Sequence, residues 1–347
     1  MESESIVLPY DKTITVRSLL KQTGIIRHMK TEGVTEVVVN RPGEIATEGN
    51  TGWRRHDAPE CTFDALNQLA NALCVMNTKH LTPQSPIQNI VLPDGERGQV
   101  LIYPACEEGT VSITIRIPSK RRLSMDDYDR FEAFKDFVDV SYHKSVPENV
   151  ELQPFELAML EAKETRNVRL LLELAVEHKQ NIVFVGGTGS GKTTLMKALA
   201  DLVDPDTRVG TIEDTHELGL PNQWNKVHMF YSETLLPKAI VKSTLRMKFD
   251  RVYLAELRGD ETWDYLGLLN TGHEGGMTSI HANGPRETFA RIATLVKQSE
   301  VGLGLDYDFI LREAKTTIDL VVFMDHKRLT KLYYDPVEKY LLLNGMK

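Results

Sequence analysis

The sequence feature that most constrains the fold of this chain is one short segment, Gly186-Gly187-Thr188-Gly189-Ser190-Gly191-Lys192-Thr193. It matches the pattern G-x-x-x-x-G-K-[S/T] at every position. An apolar β-rich run precedes it, and a helix-forming sequence follows it. Glycines allow backbone N–H groups to surround a phosphate, and the amino end of a helix favours anions. The segment predicts a phosphate-binding loop between a strand and a helix; the alternative is a glycine-rich turn with an incidental lysine.

Each side chain of this loop has a predicted role. The Lys192 ammonium can reach the β- and γ-phosphates, and the Thr193 hydroxyl can ligate Mg²⁺. The predicted nucleotide contacts are Gly187, Thr188, Gly189, Ser190, Gly191, Lys192, Thr193 and Thr194. Guanine recognition usually needs an N-K-x-D segment, and the nearest string, at 225–228, lacks the aspartate. ATP is therefore favoured over GTP.

Carboxylates at two predicted strand ends are candidates for holding Mg²⁺ and activating water. Glu256 ends the strand RVYLAEL, where a carboxylate would lie at the ligand crevice of a parallel sheet. Glu213, Asp214 and Glu217 follow another strand, in TIEDTHEL. The two sets could divide metal binding from water activation, and the sequence leaves open whether Glu256 or Glu213 is the general base. The alternatives are a surface glutamate for Glu256 and helix caps for the second set.

Two histidines in GHEGGMTSIHAN are further candidates. His281 ends a predicted strand on the crevice side, where it could stabilise the γ-phosphate. His273 precedes two glycines, in a loop that could move. The alternative for both is a structural histidine. No third ligand accompanies the pair, so no metal site is predicted from them.

The order of predicted elements indicates an α/β fold with more than one domain. We predict an amino-terminal α/β domain over 1–138, a linker over 139–153 and a second α/β domain over 154–347. In the second domain, alternating strands and helices predict a largely parallel sheet covered by helices. A helix is predicted over Met125–Val138, and the tail strings TIDLVVFMDH, KLYYD and EKYLLL predict two or three strands, including an antiparallel edge.

Composition narrows the classes of function. The net charge of −8 disfavours wholesale wrapping of nucleic acid, and the one dense basic cluster, Lys120-Arg121-Arg122, is typical of a solvated face. Three scattered cysteines predict reduced thiols. No apolar run approaches the roughly 20 residues of a membrane span, and no export signal is visible at the amino terminus. We therefore expect no integral membrane segment, and nucleic acid is not directly implied as a partner.

Four ordered motifs carry a family resemblance. GGTGSGKTT, TIEDTHEL, LRMKFDRVYLAELRGDE and GHEGGMTSIHA closely resemble the Walker A, aspartate-box, Walker B and histidine-box motifs of the secretion ATPase superfamily. Upstream strings, TEVVVNRPGEI, VLPDGERGQV and VSITIRIPSKR, resemble its type IV secretion and conjugative pilus branch. The four-cysteine metal site common in the pilus and type II secretion branch is not in the sequence. Two small departures are Phe249, where the family often has proline, and Ala255, where it often has glycine.

This resemblance implies an amino-terminal α/β domain, a RecA-like ATPase domain and a six-membered ring with nucleotide held between the domains. It implies an ATP- and Mg²⁺-dependent motor, cytoplasmic and peripheral at the inner membrane, working with other components of a secretion apparatus. Arg116 matches a family arginine that reaches the phosphates, whereas a second such arginine has only weak candidates, Arg130 or Lys135. A pilus extension or retraction motor and a nucleotide-gated scaffold with little turnover are the alternatives. The cargo, the membrane partners and the direction of force are not predicted.

Overall fold

The computed structural model describes residues 11–49, 52–117 and 122–346. Residues 1–10, where no export signal is predicted, and Lys120 and Arg121 of the basic cluster lie outside the described residues. The chain divides into two compact units, Met1–Lys120 and Arg121–Lys347. Across the three described ranges, no helix combines the length and the apolar character needed to cross a membrane.

The first unit is a mixed α/β unit built on an antiparallel sheet. Its strands lie in the order β3-β2-β1-β6-β5-β4. Its described elements are α1 (Ile14–Gln22), α2 (Ile25–Met29), β1 (Val34–Val39), β2 (Gly43–Gly49), β3 (Gly52–Ala58), α3 (Phe63–Met76), β4 (Ile87–Val91), β5 (Arg97–Ile102) and β6 (Val111–Arg116).

Local sequence explains two of these elements. Gly43 begins β2 with a φ of 84°, which a residue with a Cβ rarely adopts, and so the Pro-Gly pair closes the predicted β1–β2 hairpin. Helix α3 begins after Thr62, whose hydroxyl accepts a hydrogen bond from the N–H of Ala65 at 3.2 Å. The predicted apolar face of this helix packs into the core of the first unit.

The second unit contains a sheet with strand order β10-β9-β11-β12-β8-β13-β14-β7. Neighbouring strands are parallel except β13 and β14. Its described elements are α4 (Met125–Arg130), β7 (Val138–Asp139), α5 (Pro154–Glu164), α6 (Val168–Glu177), β8 (Ile182–Val185), α7 (Lys192–Ala200), β9 (Val209–Glu213), β10 (Lys226–Phe230), α8 (Pro237–Thr244), β11 (Arg251–Leu254), α9 (Glu261–Leu269), β12 (Met277–Ile280), α10 (Pro285–Lys297), α11 (Glu300–Leu303), α12 (Tyr307–Thr317), β13 (Leu320–Asp325), β14 (Arg328–Tyr334) and α13 (Pro336–Leu343).

Strand β8 shows why this sheet is covered on both faces. Side chains alternate along a strand, and Ile182 and Phe184 pack with α6 and α7. Val183 and Val185 point the other way and pack with α9 and α10. A strand buried on both sides needs a continuous apolar sequence, which β8 has. The predicted α/β fold, with a largely parallel sheet between helices, is confirmed.

The segment after Lys120 differs from the prediction. The helix predicted over Met125–Val138 ends at Arg130, and Glu132 has a φ of 49°. Val138 instead pairs with Lys331 of β14, and Phe134 and Phe137 pack in the core of the second unit. These contacts place 122–138 with the second unit, so the compact units divide between Lys120 and Arg121 rather than after 138.

The carboxyl-terminal string EKYLLL also differs from the prediction, because it forms helix α13 rather than a strand. The side chain of Asp335 accepts a hydrogen bond from the N–H of Glu338 at 2.9 Å, and Pro336 occupies the first turn. An aspartate cap followed by proline is a typical helix start. The antiparallel pairing that was predicted nearby is the β13–β14 pair, but the edge of the sheet is the short strand β7, which pairs with β14.

Candidate nucleotide site

Four adjacent parallel strands, β9, β11, β12 and β8, bring the candidate residues to one edge of the sheet. The phosphate loop follows β8, and His281 follows β12 directly. Glu256 follows β11, and Glu213 is the last residue of β9. Carboxyl ends of parallel strands meet at the same edge, where ligands of open α/β sheets bind. His273 precedes β12, so its place is at the opposite end of that strand.

The backbone of the phosphate loop needs its glycines. Gly186, Gly189 and Gly191 have φ values of 143°, 71° and 102°. A Cβ on Gly186 would lie 2.2 Å from the carbonyl oxygen of Met324, whereas a Cβ on Gly187 would meet nothing within 4 Å. The loop is therefore closed against the protein at Gly186 and open at Gly187, where a ligand can approach the backbone.

Lys192 lies inside this loop. Its side chain is buried, and its ammonium donates hydrogen bonds to the carbonyl oxygens of Gly186 at 2.8 Å and Gly187 at 2.7 Å. A buried cation needs such acceptors, since desolvation opposes its charge. The same ammonium can bind phosphate oxygens, which are stronger acceptors than neutral carbonyls.

Two hydroxyls of the loop region suit a phosphate ligand with its metal ion. Ser190 is buried, and its Oγ has no hydrogen-bond partner among the described residues. The hydroxyl can therefore donate a hydrogen bond to a ligand oxygen. Thr193 lies in the first turn of α7 and is partly exposed. Hydroxyl and carboxylate oxygens are the donors that Mg²⁺ prefers. The Thr193 hydroxyl and the Glu256 carboxylate therefore offer oxygen donors of the kind that suits Mg²⁺.

A hairpin turn that was not predicted from the sequence supports the loop from the side. The N–H of Lys327 donates to the carbonyl oxygen of Ser190 at 2.9 Å. His326 and Lys327 form the two-residue turn between β13 and β14, with φ values of 46° and 65°. Such short hairpin turns need positive φ at both central residues. In the sequence, two β-rich runs on either side of His326-Lys327 could have predicted this turn.

Glu256 is held from both sides. Its Oε2 accepts a hydrogen bond from Arg258 at 2.7 Å, and its Oε1 lies 3.3 Å from Nε2 of His281. Arg258 also donates to Asp214 at 2.8 Å. The arginine thus joins the two predicted carboxylate segments. Arg258 was not among the predicted site residues, although it lies only two residues beyond Glu256.

Burial and the nearby charge of Lys192 lower the pKa of His281 below its ordinary value, against the opposite pull of Glu256. The imidazole is therefore neutral at neutral pH and can donate one hydrogen bond. His281 therefore interacts electrostatically both with Glu256, the predicted base, and with Lys192 of the phosphate loop.

Glu213 has a different environment. It is fully buried, and its Oε1 accepts from the Thr211 hydroxyl at 2.8 Å. Its Oε2 accepts from the N–H groups of Glu217 at 2.8 Å and Leu218 at 2.7 Å. Burial favours a raised pKa for Glu213, but His228 and the backbone donors outweigh it and lower the pKa. The carboxylate is ionised, and both of its oxygens accept hydrogen bonds.

The predicted cations outside the loop have local partners. Arg116 ends β6 in the first unit, in register with Glu36, and its Nε lies 4.0 Å from Oε1 of that residue. Arg130 pairs with Asp127 at 3.0 Å. Lys135 lies 3.2 Å from a carboxylate oxygen of Glu132. Each of these three cations therefore lies beside a carboxylate of its own unit.

A parallel sheet between helices, a glycine-rich loop at the amino end of α7 and a carboxylate at a neighbouring strand end define a P-loop ATPase. Comparisons with known proteins narrow this class. A family model described as "Type II/IV secretion system protein" matches residues 144–327. The type IV secretion system protein VirB11 of Brucella abortus is 38% identical over 324 residues, covering 89% of this chain and 87% of that protein.

Two solved structures are also similar to this chain. The crystal structure of the VirB11 ATPase of the Brucella suis type IV secretion system, in complex with sulphate, is 37% identical and covers 94% of this chain and 99% of that one, with a TM-score of 0.53. The pilus retraction motor PilT with bound ADP, at 14% identity, covers 93% of this chain and 86% of that one, with a TM-score of 0.58, and shares the fold.

The chain belongs to the type II/IV secretion system protein family, and within it the chain is a type IV secretion ATPase. The resemblance in the four ordered motifs is confirmed, as are the RecA-like fold and the ATPase activity. The identity to VirB11 proteins, far above that to PilT, favours the type IV secretion motor over the pilus alternative.

Proposed function

We propose that this type IV secretion motor hydrolyses ATP at the loop 186–193, with the Glu256–His281 pair beside it. The observation that carries the proposal is the buried Lys192 ammonium, which two loop carbonyls hold at 2.8 Å and 2.7 Å. An incoming phosphate offers the ammonium charged acceptors in place of neutral ones. The proposed nucleotide contacts are Gly187, Thr188, Gly189, Ser190, Gly191, Lys192, Thr193 and Thr194.

The second cofactor that we propose is Mg²⁺, held directly by the Thr193 hydroxyl and by Glu256 through a water molecule. When bound, it would neutralise phosphate charge. The protein's own contribution is to orient these oxygens. Arg258 fixes one oxygen of Glu256 at 2.7 Å and leaves the other toward His281.

We assign proton acceptance from water to Glu256 rather than Glu213. A general base needs an oxygen lone pair within reach of water. The Glu213 side chain is fully buried, whereas the Glu256 side chain is 19% exposed. The neutral His281 can donate a hydrogen bond to Glu256 or to a phosphate oxygen, and the Lys192 ammonium stabilises the negative charge on the β- and γ-phosphates as ADP leaves.

The test of this assignment is Glu256→Gln. The amide keeps the size of the side chain but loses the charge and the basicity, so we expect ATP to bind while turnover falls at least about a hundredfold. Glu161→Gln is the matched control, because Glu161 lies on the exposed side of α5. Retained turnover in Glu256→Gln, with loss in Glu213→Gln, would exchange the roles of the two carboxylates.

Arg116 is proposed as a further cation acting on the phosphates. It is 46% exposed and only loosely paired with Glu36, so its guanidinium is available to an anion. Arg116→Ala should lower turnover several-fold, whereas Arg55→Ala, on exposed β3 of the same sheet, should leave turnover unchanged. Equal turnover in the two variants would remove Arg116 from the site.

We further propose that the active assembly is a homo-hexamer, cytoplasmic and peripheral at the inner membrane, in contact with other components of the secretion apparatus. The support is the family membership of the chain. The mass of the purified particle, measured by light scattering with and without ATP and Mg²⁺, tests the ring. A six-chain mass is the expected result, and a monomer under both conditions would contradict the ring.

A further inference from the structure

A cluster of two histidines and one carboxylate lies at the end of β9, outside the proposed site of hydrolysis. His216 Nδ1 lies 3.6 Å from Glu213 Oε1, and His228 Nδ1 lies 3.7 Å from the same oxygen. The three ligand atoms all lie within 4.8 Å of one another. His228 comes from β10, in register with Thr211 of β9, and His216 comes from the turn after β9.

These separations are close to those of a tetrahedral metal site. With metal–ligand distances of about 2.0–2.1 Å, neighbouring ligand atoms of a tetrahedral ion are about 3.4 Å apart. The two measured separations, 3.6 Å and 3.7 Å, need only small adjustments to reach this value. His216 is 52% exposed, so its ring can turn to bring the two histidines closer.

The donor set selects the kind of ion. Two imidazole nitrogens and one carboxylate oxygen suit Zn²⁺ and similar transition metal ions, whereas Mg²⁺ prefers oxygen ligands. The ligand oxygen belongs to a buried, ionised carboxylate, which supplies negative charge. The exposure of His216 leaves a fourth position open to water.

Neighbouring hydrogen bonds already orient the carboxylate ligand. Thr211 donates to Glu213 Oε1 at 2.8 Å, and the N–H groups of Glu217 and Leu218 donate to Oε2. Such outer contacts fix ligand geometry at metal sites. His228 Nδ1 lies 2.8 Å from the Thr211 hydroxyl, and it must exchange this contact for the ion.

We propose that Glu213, His216 and His228 bind one divalent transition metal ion of the Zn²⁺ class. Through His216 and His228, the ion links the turn 214–217 to strand β10. This turn carries Asp214, which pairs with Arg258, and Arg258 holds Glu256. Metal occupancy therefore stabilises the segment that positions the proposed base.

The test uses the full chain without nucleotide or Mg²⁺, with Zn²⁺ measured by calorimetry and Co²⁺ by its visible absorption. We expect one equivalent of Zn²⁺ and the intense bands of tetrahedral Co²⁺. His216→Ala and His228→Ala should each weaken binding by more than about tenfold, since even outer-contact losses cost that much. A millimolar excess of Mg²⁺ should not displace Co²⁺.

Two control variants separate this site from other metal-binding positions. His56→Ala removes the other close histidine pair, His28 and His56, whose ring centres are 4.5 Å apart. Thr193→Ala removes the proposed Mg²⁺ ligand. Both should keep the Co²⁺ bands. Absence of stoichiometric binding, or binding that survives both His216→Ala and His228→Ala in folded protein, would overturn the proposal.

Discussion

The Nε2 atom of His281 lies 3.3 Å from Oε1 of Glu256, across the ends of two adjacent parallel strands, β12 and β11. Arg258 holds the other oxygen of the same carboxylate at 2.7 Å. A carboxylate with a partner at each oxygen has a fixed orientation. A neutral histidine can donate a hydrogen bond to it.

The first prediction concerns the titration of His281. Because burial and Lys192 lower its pKa, its proton should leave at a lower pH in the folded protein than in the urea-unfolded chain. The unfolded state then binds more protons as pH falls through the ordinary histidine range, so this residue makes the fold less stable on acidification. NMR of the imidazole protons measures the midpoint. Lys192→Ala should raise it, and an unchanged midpoint would show that the two residues do not interact.

The second prediction separates the two glutamates by stability. Glu213→Gln places an amide that has only one oxygen against several buried donors, and we expect a loss of about 1–3 kcal/mol in the free energy of unfolding. Glu256→Gln changes a partly exposed ion pair, so its loss should stay within about 1 kcal/mol. Urea unfolding of both variants provides the comparison. Equal losses would contradict the structural role of Glu213.

The third prediction uses two adjacent glycines of the loop. Gly186→Ala introduces a Cβ 2.2 Å from the carbonyl oxygen of Met324 at a φ of 143°, so it should destabilise the fold by more than about 2 kcal/mol. Gly187→Ala meets nothing within 4 Å and should leave the melting temperature nearly unchanged. Thermal melts followed by circular dichroism test the pair. A stable Gly186→Ala variant would mean that the loop relaxes away from β13.

Local patterns in the sequence were enough for the parallel sheet and for the order of the site segments. The continuous apolar run of β8 predicts a strand buried on both faces, and the glycines after it predict a phosphate-binding loop. The carboxyl ends of parallel strands lie at the same edge of the sheet. Helix α13 was mistaken for a strand because its apolar run is short, and the cap at Asp335 was not recognised.

The remaining differences arise from tertiary contacts that no local pattern encodes. Glu213 and Glu256 both follow apolar strands, but only the backbone of the turn after β9 shows that Glu213 is enclosed. Lys327 reaches Ser190 because β13 pairs with β8, and this pairing joins distant parts of the chain. Arg258 gains its role only when Asp214 is brought beside it.

The most direct test of the central claim is phosphate release from ATP by the purified chain and by Lys192→Ala. The ammonium lies within the loop and donates to two of its carbonyl oxygens, so its loss should lower turnover at least about a hundredfold while the melting temperature shows an intact fold. Lys242→Ala, which changes an exposed lysine of α8, should retain wild-type turnover. Near wild-type phosphate release by folded Lys192→Ala would contradict hydrolysis at this loop.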